Sequence, residues 1–143
     1  MKITQKVWDS IFENLGDTPP EIGGILGSRD GEIVDIVMID PGVSGAKKCS
    51  YTPDVMLLNR MIGKWQEANI KFMGIFHSHY FGVCSLSQGD ISYIDEIMNA
   101  MPDSIQSLFF PIAVMPDKEF VINIARKNGN GEIRIEQDTI EVK

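Results

Sequence analysis

The stretch Lys71-Phe-Met-Gly-Ile-Phe-His-Ser-His79 decides the fold class that we predict for this chain of 143 residues. It is rich in apolar residues until it ends in the polar His-Ser-His, and a short apolar run of this kind is typical of a buried strand. A buried strand needs other elements packed against it, so the neighbouring segments determine the architecture.

Amphipathic helices and further strands are predicted on both sides of this strand in the sequence. Apolar residues at helical spacing predict helices over 4–15, 53–69 and 87–101. Short apolar runs bounded by turn residues predict strands over 21–27, 32–40, 71–79, 108–115, 120–126 and 132–136. The turns Arg29-Asp-Gly and Asn128-Gly-Asn-Gly indicate two hairpins. The order αββαβαβββ predicts an α/β fold, with a mixed β-sheet flanked by helices in a single domain, 1–143.

Composition limits the classes of partner that we expect. The 20 acidic and 13 basic residues give a net charge of −7, which argues against a nucleic-acid partner. No segment has the length and apolarity of a membrane span or a signal peptide, so we expect no membrane partner. The two cysteines, Cys49 and Cys84, are too few for a disulfide framework. A cytoplasmic location is therefore the expectation.

His77 and His79 are candidate metal ligands, and they are the only histidines in the chain. Side chains two residues apart on a strand share one face, so both imidazoles can converge on one point. A catalytic zinc ion usually has three protein ligands, which requires a third from elsewhere. Asp90 is the best candidate because it stands at the opening of the helix that follows the strand, where a carboxylate is favoured.

Each of these features also has a simpler interpretation. Histidines in an isolated H-x-H often serve as hydrogen-bonded surface groups. Ser87 and Asp90 have the spacing of a helix cap, and Ser85 with Gln88 offers a competing one. Glu21, taken alone, is typical of a solvated carboxylate near a strand edge. The fixed spacing, the strand-to-helix context and the upstream Glu21 together favour a metal site.

The complete pattern resembles the signature of the JAMM (MPN-domain, JAB-type) zinc metalloproteases. His77-Ser-His79 is followed by seven residues, Ser87, two residues and Asp90, which is the motif H-x-H-x7-S-x-x-D. Glu21-Ile-Gly-Gly-Ile-Leu26 is similar to the glutamate-bearing strand of that family. One departure is Tyr80, which stands where the family usually has proline.

The resemblance implies a fold, a cofactor and a set of residue roles. The fold would be the JAB/MPN, cytidine-deaminase-like architecture, and one Zn²⁺ per chain would be held by His77, His79 and Asp90. Glu21 would act as the general base, and Ser87 would donate to the oxyanion. The glycines beside Glu21 would let a substrate backbone approach closely. Tyr80 and Phe81 would form either an apolar rim at the mouth of the site or an anchor for the loop.

The implied function is a metallopeptidase that hydrolyses a peptide or isopeptide bond. By resemblance, its partner would be a ubiquitin-like or small sulfur-carrier protein with a Gly-Gly tail. The alternative is a non-catalytic MPN-type scaffold or interaction module, since family members without the ligands act in that way, usually as dimers; a homodimer is therefore possible here. A zinc nucleobase deaminase is excluded because it needs H-x-E and P-C-x-x-C, which the chain lacks.

Overall fold

The structure is a computed structural model that describes residues 1–43 and 51–143. Within those residues, the helices are α1 (Gln5–Glu13), α2 (Val55–Glu67) and α3 (Gln88–Ala100). The strands are β1 (Lys2–Ile3), β2 (Gly23–Ser28), β3 (Ile33–Val34), β4 (Ile36–Asp40), β5 (Lys71–His79), β6 (Ser107–Phe109), β7 (Ile112–Val114), β8 (Glu119–Lys127), β9 (Ile133–Asp138) and β10 (Glu141–Val142). The predicted mixed α/β class is confirmed.

In the part of the chain that the structure describes, strand β5 lies inside a mixed sheet of seven strands. On one side it pairs antiparallel with β2, which pairs antiparallel with the edge strand β4. On its other side it runs parallel to β6 and β7, and the antiparallel strands β8 and β9 complete the sheet. The two predicted hairpin pairings, β2 with β4 and β8 with β9, are confirmed. The strand predicted over 32–40 is nevertheless broken at Asp35, and its first part, β3, pairs with β1.

Helices cover both faces of this sheet because strand residues alternate between two apolar clusters. Leu26 and Phe76 belong to the cluster that contains the buried face of α1. Their neighbours Ile25 and Ile75 belong to the cluster that contains the buried residues of α2 and α3. Since side chains repeat every second residue along β5, the histidines at its end lie on the face of Ile75, toward α2 and α3.

The predicted strand over 108–115 is divided into β6 and β7 by Phe110 and Pro111. Proline has no N–H to donate, so it interrupts the ladder. The register continues across the break, because Phe109 pairs with Gly74 and Ile112 pairs with His77. The prediction was therefore right about the path of the chain and wrong about its continuity.

The sequence did not predict the small sheet formed by β10, β1 and β3. Its strands are two residues long, which is too short for a periodic pattern. No helix in the described part of the chain is long and apolar enough to cross a membrane. Cys84 is exposed with a free thiol, whereas Cys49 lies outside the described residues. The cytoplasmic location stays a prediction.

The parallel pairing of β5 with β6 depends on a glycine at position 74. Gly74 has φ +154°, and a Cβ there would lie 1.8 Å from the Phe109 carbonyl oxygen. Gly63, by contrast, lies inside α2 and has open space around the position of a Cβ. The two glycines therefore provide a matched pair of sites for an added methyl group.

We expect Gly74→Ala to lower the free energy of unfolding by about 3 kcal/mol, because the methyl group would push β5 and β6 apart. Gly63→Ala should instead raise it by up to about 1 kcal/mol, because alanine favours the helix interior. Urea unfolding midpoints measure both changes. If Gly74→Ala unfolded at the wild-type midpoint, the described approach of the two strands would be wrong.

Candidate metal centre

His77 and His79 converge at the end of β5, as strand alternation predicts. Their Nε2 atoms lie 2.9 Å apart. Both residues are nearly buried, with 1% and 4% of their surface exposed. Two imidazole nitrogens at this distance, removed from bulk water, form one half of a rigid donor site.

Asp90 meets both histidines from the first turn of α3. Its Oδ1 lies 3.2 Å from the Nε2 atom of His77, and its Oδ2 lies 3.1 Å from that of His79. Ser87, and not Ser85, is the N-cap: its Oγ accepts from the Asp90 N–H, and Asp90 Oδ2 accepts from the Ser87 N–H. The capping box therefore holds the carboxylate where it faces the histidines.

Glu21 reaches the same point from the segment that precedes β2. Glu21, His77 and His79 each offer a ligand atom, and these atoms all lie within 4.8 Å of one another. Strand pairing explains the approach, because Gly23 lies opposite His77 in the ladder between β2 and β5. Among the described residues, these three form a group that could hold a metal ion, and Asp90 lies beside it.

The arrangement fits a small divalent ion. A tetrahedral zinc ion, with bonds of about 2.0–2.1 Å, needs ligand atoms about 3.3–3.4 Å apart. The Nε2–Nε2 distance of 2.9 Å and the Nε2–carboxylate distances of 3.1 and 3.2 Å are close to this requirement. Two imidazoles and a carboxylate suit zinc and also other first-row ions, so the donors indicate a divalent metal without identifying it.

The outer nitrogens of the two histidines differ in their surroundings. The Nδ1–H of His79 donates to the Val83 carbonyl oxygen at 3.2 Å, which leaves the Nε2 lone pair directed at the cluster. His77 Nδ1 is buried and has no hydrogen-bond partner among the described residues. The ring of His77 is instead flanked by Tyr51 and Tyr93, with centroid distances of 6.3 Å to each.

Burial and neighbouring charges shift the acidities of this cluster. Burial raises the pKa of Glu21, although both histidines oppose the shift. Burial raises the pKa of Asp90, but the contacts with His77 and His79 in their protonated form outweigh burial, so the pKa falls below its ordinary value. Burial lowers the pKa of His79, but Asp90 and Glu21 outweigh it and the pKa rises. The two carboxylates thus differ: Asp90 holds its charge, and Glu21 accepts a proton more readily.

Ser78 and Tyr80 link the segment around Glu21 to the end of β5, and the sequence did not predict these contacts. Ser78 Oγ accepts from the Ile22 N–H at 3.0 Å, and the Ser78 N–H donates to the Ile22 carbonyl at 2.8 Å. The Tyr80 hydroxyl donates to the Pro20 carbonyl at 3.1 Å. Residues on both sides of Glu21 are therefore bonded to residues on both sides of His79.

Tyr80 and Phe81 border the same cleft, but Tyr80 is buried and Phe81 is exposed. Tyr80 is 5% exposed and anchors the loop through its hydroxyl. Phe81 is 75% exposed and lines a cleft of about 360 Å³ together with Pro19, Val83 and Leu86. Glu21, His79, Ser87 and Asp90 line the same cleft, so the site opens beside an apolar rim.

The expectation that the glycines after Glu21 admit a substrate backbone is wrong for Gly23. A Cβ at Gly23 would lie 2.4 Å from the Phe76 carbonyl oxygen and 2.7 Å from the ring of Tyr51. The space beside Gly23 is therefore occupied by the chain itself. The glycine allows Tyr51 to pack against the start of β2 next to the candidate metal centre.

A second cavity, of about 390 Å³, lies between α2 and α3. It is mainly apolar, and its lining includes Tyr51, Phe72, Ile75 and Tyr93. Glu96 is its one carboxylate among the described lining residues, and no histidine faces it. Among its described lining residues, this cavity therefore lacks the donors of a metal site.

No protein-family model matches the chain, and no curated protein sequence matches it. Solved structures resemble it over nearly its whole length. The solution structure of protein DSY2949 from Desulfitobacterium hafniense is 18% identical, with a TM-score of 0.66, and the match covers 99% of this chain and 92% of that chain. The crystal structure of AF2198, a JAB1/MPN domain protein from Archaeoglobus fulgidus, is 21% identical, with a TM-score of 0.57 and coverages of 99% and 98%. At these identities the likeness shows the fold alone: the chain has the mixed α/β fold of a JAB1/MPN domain protein.

Proposed function

We propose that this protein is a zinc-dependent metallopeptidase that hydrolyses peptide or isopeptide bonds. The observation that carries the proposal is the convergence of His77, His79, Asp90 and Glu21 beside one open cleft. The histidines and Asp90 stand at the spacing H-x-H-x7-S-x-x-D, Glu21 lies just before β2, and the chain has the fold of a JAB1/MPN domain protein. Two imidazoles and two carboxylates at one cleft are what metal-assisted hydrolysis requires.

Asp90 is the better third ligand, and Glu21 is the better proton carrier. Asp90 contacts both Nε2 atoms and is held by the capping box. Glu21 accepts a hydrogen bond from the Tyr51 N–H through one oxygen, which leaves its second oxygen available to a water molecule. When bound, zinc would supply a Lewis acid that activates water and polarises the carbonyl group.

Glu21 would move one proton through the reaction. Its carboxylate takes a proton from the attacking water while the water oxygen bonds to the scissile carbonyl carbon. The same proton then passes to the amide nitrogen as the carbon–nitrogen bond breaks, so Glu21 ends as a carboxylate. Burial, which raises the pKa of Glu21, favours its acceptance of the proton.

Ser87 can cap the helix and also donate to an oxyanion. Its Oγ accepts from the Asp90 N–H with a lone pair, so its own O–H proton is left to donate. Ser87 is exposed and lines the cleft beside His79, on the side from which a substrate would enter. The hydroxyl would therefore stabilise the developing negative charge on the carbonyl oxygen.

The proposed substrate is the Gly-Gly tail of a ubiquitin-like or small sulfur-carrier protein. A Gly-Gly tail carries no side chains, so its backbone could enter the cleft of about 360 Å³ and approach the cluster directly. An extended tail can add to an open strand edge, and β4 presents such an edge at the end of the described sheet. Incubation with a panel of such proteins, fused through their C-terminal glycines, tests this assignment.

The protein should contain about one zinc ion per chain, and His77→Ala should remove it. Asp90→Asn should also lose zinc, because an amide is a weak zinc ligand, whereas Glu21→Gln should retain it. Elemental analysis of protein purified without chelator measures the content, and added zinc should raise the melting temperature. Iron in place of zinc, or loss of zinc on Glu21→Gln but not on Asp90→Asn, would overturn the assignment.

Glu21→Gln should lower kcat by roughly two to four orders of magnitude while zinc stays bound, because glutamine cannot carry the proton. Glu96→Gln, a carboxylate change on α3 in the second cavity, should leave activity unchanged. Chelator-sensitive cleavage of the fusion panel provides the assay. If wild type and variants all bind zinc and none cleaves any member, the non-catalytic scaffold becomes the better description.

Ser87→Ala should lower the free energy of unfolding by about 1 kcal/mol, from the lost cap, and should slow turnover roughly 100-fold with zinc retained. Ser87→Asp restores a cap acceptor without a hydroxyl donor, so stability should recover and turnover should not. Thermal unfolding and kcat separate the two effects. Recovery of both in Ser87→Asp would show that Ser87 acts through the cap alone.

A further inference from the structure

We infer that Tyr51 is a positioning residue for Glu21 and that the buried carboxylate of Asp40 holds Tyr51 in place. The inference rests on the proposed role of Glu21 as proton carrier. Neither residue belongs to the H-x-H-x7-S-x-x-D motif. Asp40 ends β4, and Tyr51 lies just before α2. Three linked observations carry it, beginning at Asp40.

Asp40 is 0% exposed, and both of its carboxylate oxygens accept hydrogen bonds from the segment between β4 and α2. Its Oδ1 accepts from the Gly42 N–H at 2.8 Å. Its Oδ2 accepts from the Tyr51 hydroxyl at 2.6 Å and from the Asp54 N–H at 3.0 Å. A buried carboxylate needs such partners, so Asp40 fixes the points where the chain leaves the sheet and enters the helix.

Tyr51 transmits this constraint from its hydroxyl to its backbone. The ring packs beside Gly23 and is stacked on His77, with an interplanar angle of 10°. With the hydroxyl held by Asp40 and the ring held by these contacts, the orientation of the backbone at position 51 is defined. That backbone N–H donates to Glu21 Oε2 at 3.0 Å.

The hydrogen bond from position 51 decides where the Glu21 carboxylate lies. Glutamate has three side-chain torsions, and fixing one oxygen removes most of that freedom. A carboxylate oxygen of Glu21 lies within 4.8 Å of the ligand atoms of His77 and His79, so the hydrogen bond from position 51 holds the carboxylate beside the histidine cluster. A general base must lie within hydrogen-bond reach of the proton that it accepts. A Glu21 carboxylate without this hydrogen bond would occupy that position for a smaller fraction of the time, which would lower kcat.

Tyr93 offers a matched control for Tyr51. Both rings flank His77 at 6.3 Å, one stacked and one edge-on. The Tyr51 hydroxyl is bonded to Asp40, whereas the buried Tyr93 hydroxyl has no partner among the described residues. Replacing each tyrosine by phenylalanine keeps the ring and removes one hydroxyl, so the two variants differ in the bond to Asp40.

The test compares Tyr51→Phe and Tyr93→Phe in the zinc-loaded full chain. We expect Tyr51→Phe to speed hydrogen exchange of the backbone amide at position 51 by about tenfold, because its segment loosens. It should also lower kcat by about tenfold, with KM and zinc content unchanged, because Glu21 is misplaced and the metal ligands are not. Tyr93→Phe should change none of these, and Asp40→Asn should shift them in the same direction as Tyr51→Phe.

If the backbone amide at position 51 exchanged hydrogen at the wild-type rate in both Tyr51→Phe and Asp40→Asn, the inference would be overturned. An equal loss of kcat in Tyr51→Phe and Tyr93→Phe would also overturn it, because ring packing and not the Asp40 bond would then be responsible. Failure of the proposed function has a different signature. A wild-type protein without zinc or cleavage refutes that function, while amide exchange still reports whether Asp40 and Tyr51 hold Glu21.

Discussion

The pairing of β2 with β5 is the constraint on which the candidate site depends. The register that places Gly23 opposite His77 also places Ile22 beside Ser78, where two hydrogen bonds join them. Glu21 is thereby brought next to two histidines that follow it by more than fifty positions in the sequence. A shift of one residue in this register would turn every side chain of β2 to the other face, so the site and the sheet have a common geometric origin.

Each member of the cluster is held by a different element. The histidines are fixed by the strand, Asp90 by the capping box of α3, and Glu21 by bonds to the main chain at position 51. Support from several rigid elements limits the movement of the donors and leaves the cleft side open. Burial raises the pKa of Glu21, whereas for Asp90 the contacts with the Nε2 atoms of His77 and His79 outweigh burial and lower the pKa.

The parts of this arrangement that were predictable have a local physical signal. Strand alternation put His77 and His79 on one face, and the spacing of Ser87 and Asp90 indicated the cap that the structure contains. The contributions of Ser78, Tyr80, Asp40 and Tyr51 have no such signal. Their bonds join positions 56, 60, 11 and 30 residues apart, respectively, and depend on strand register and on the path of loops.

Hydrophobic periodicity and capping are properties of neighbouring residues, so the sequence alone was enough to predict the α/β class, most of the strands and helices, and the shared face of His77 and His79. Glu21 and the ligand role of Asp90 were predicted mainly from the family resemblance. Only the tertiary structure decided that Tyr80 is a buried anchor and Phe81 an exposed rim, and that Gly23 makes room for Tyr51. Those outcomes depend on which segments of the chain pack against each other in the folded protein. Hydrogen bonds between distant segments form only in the folded chain, so they decide how the donors are held.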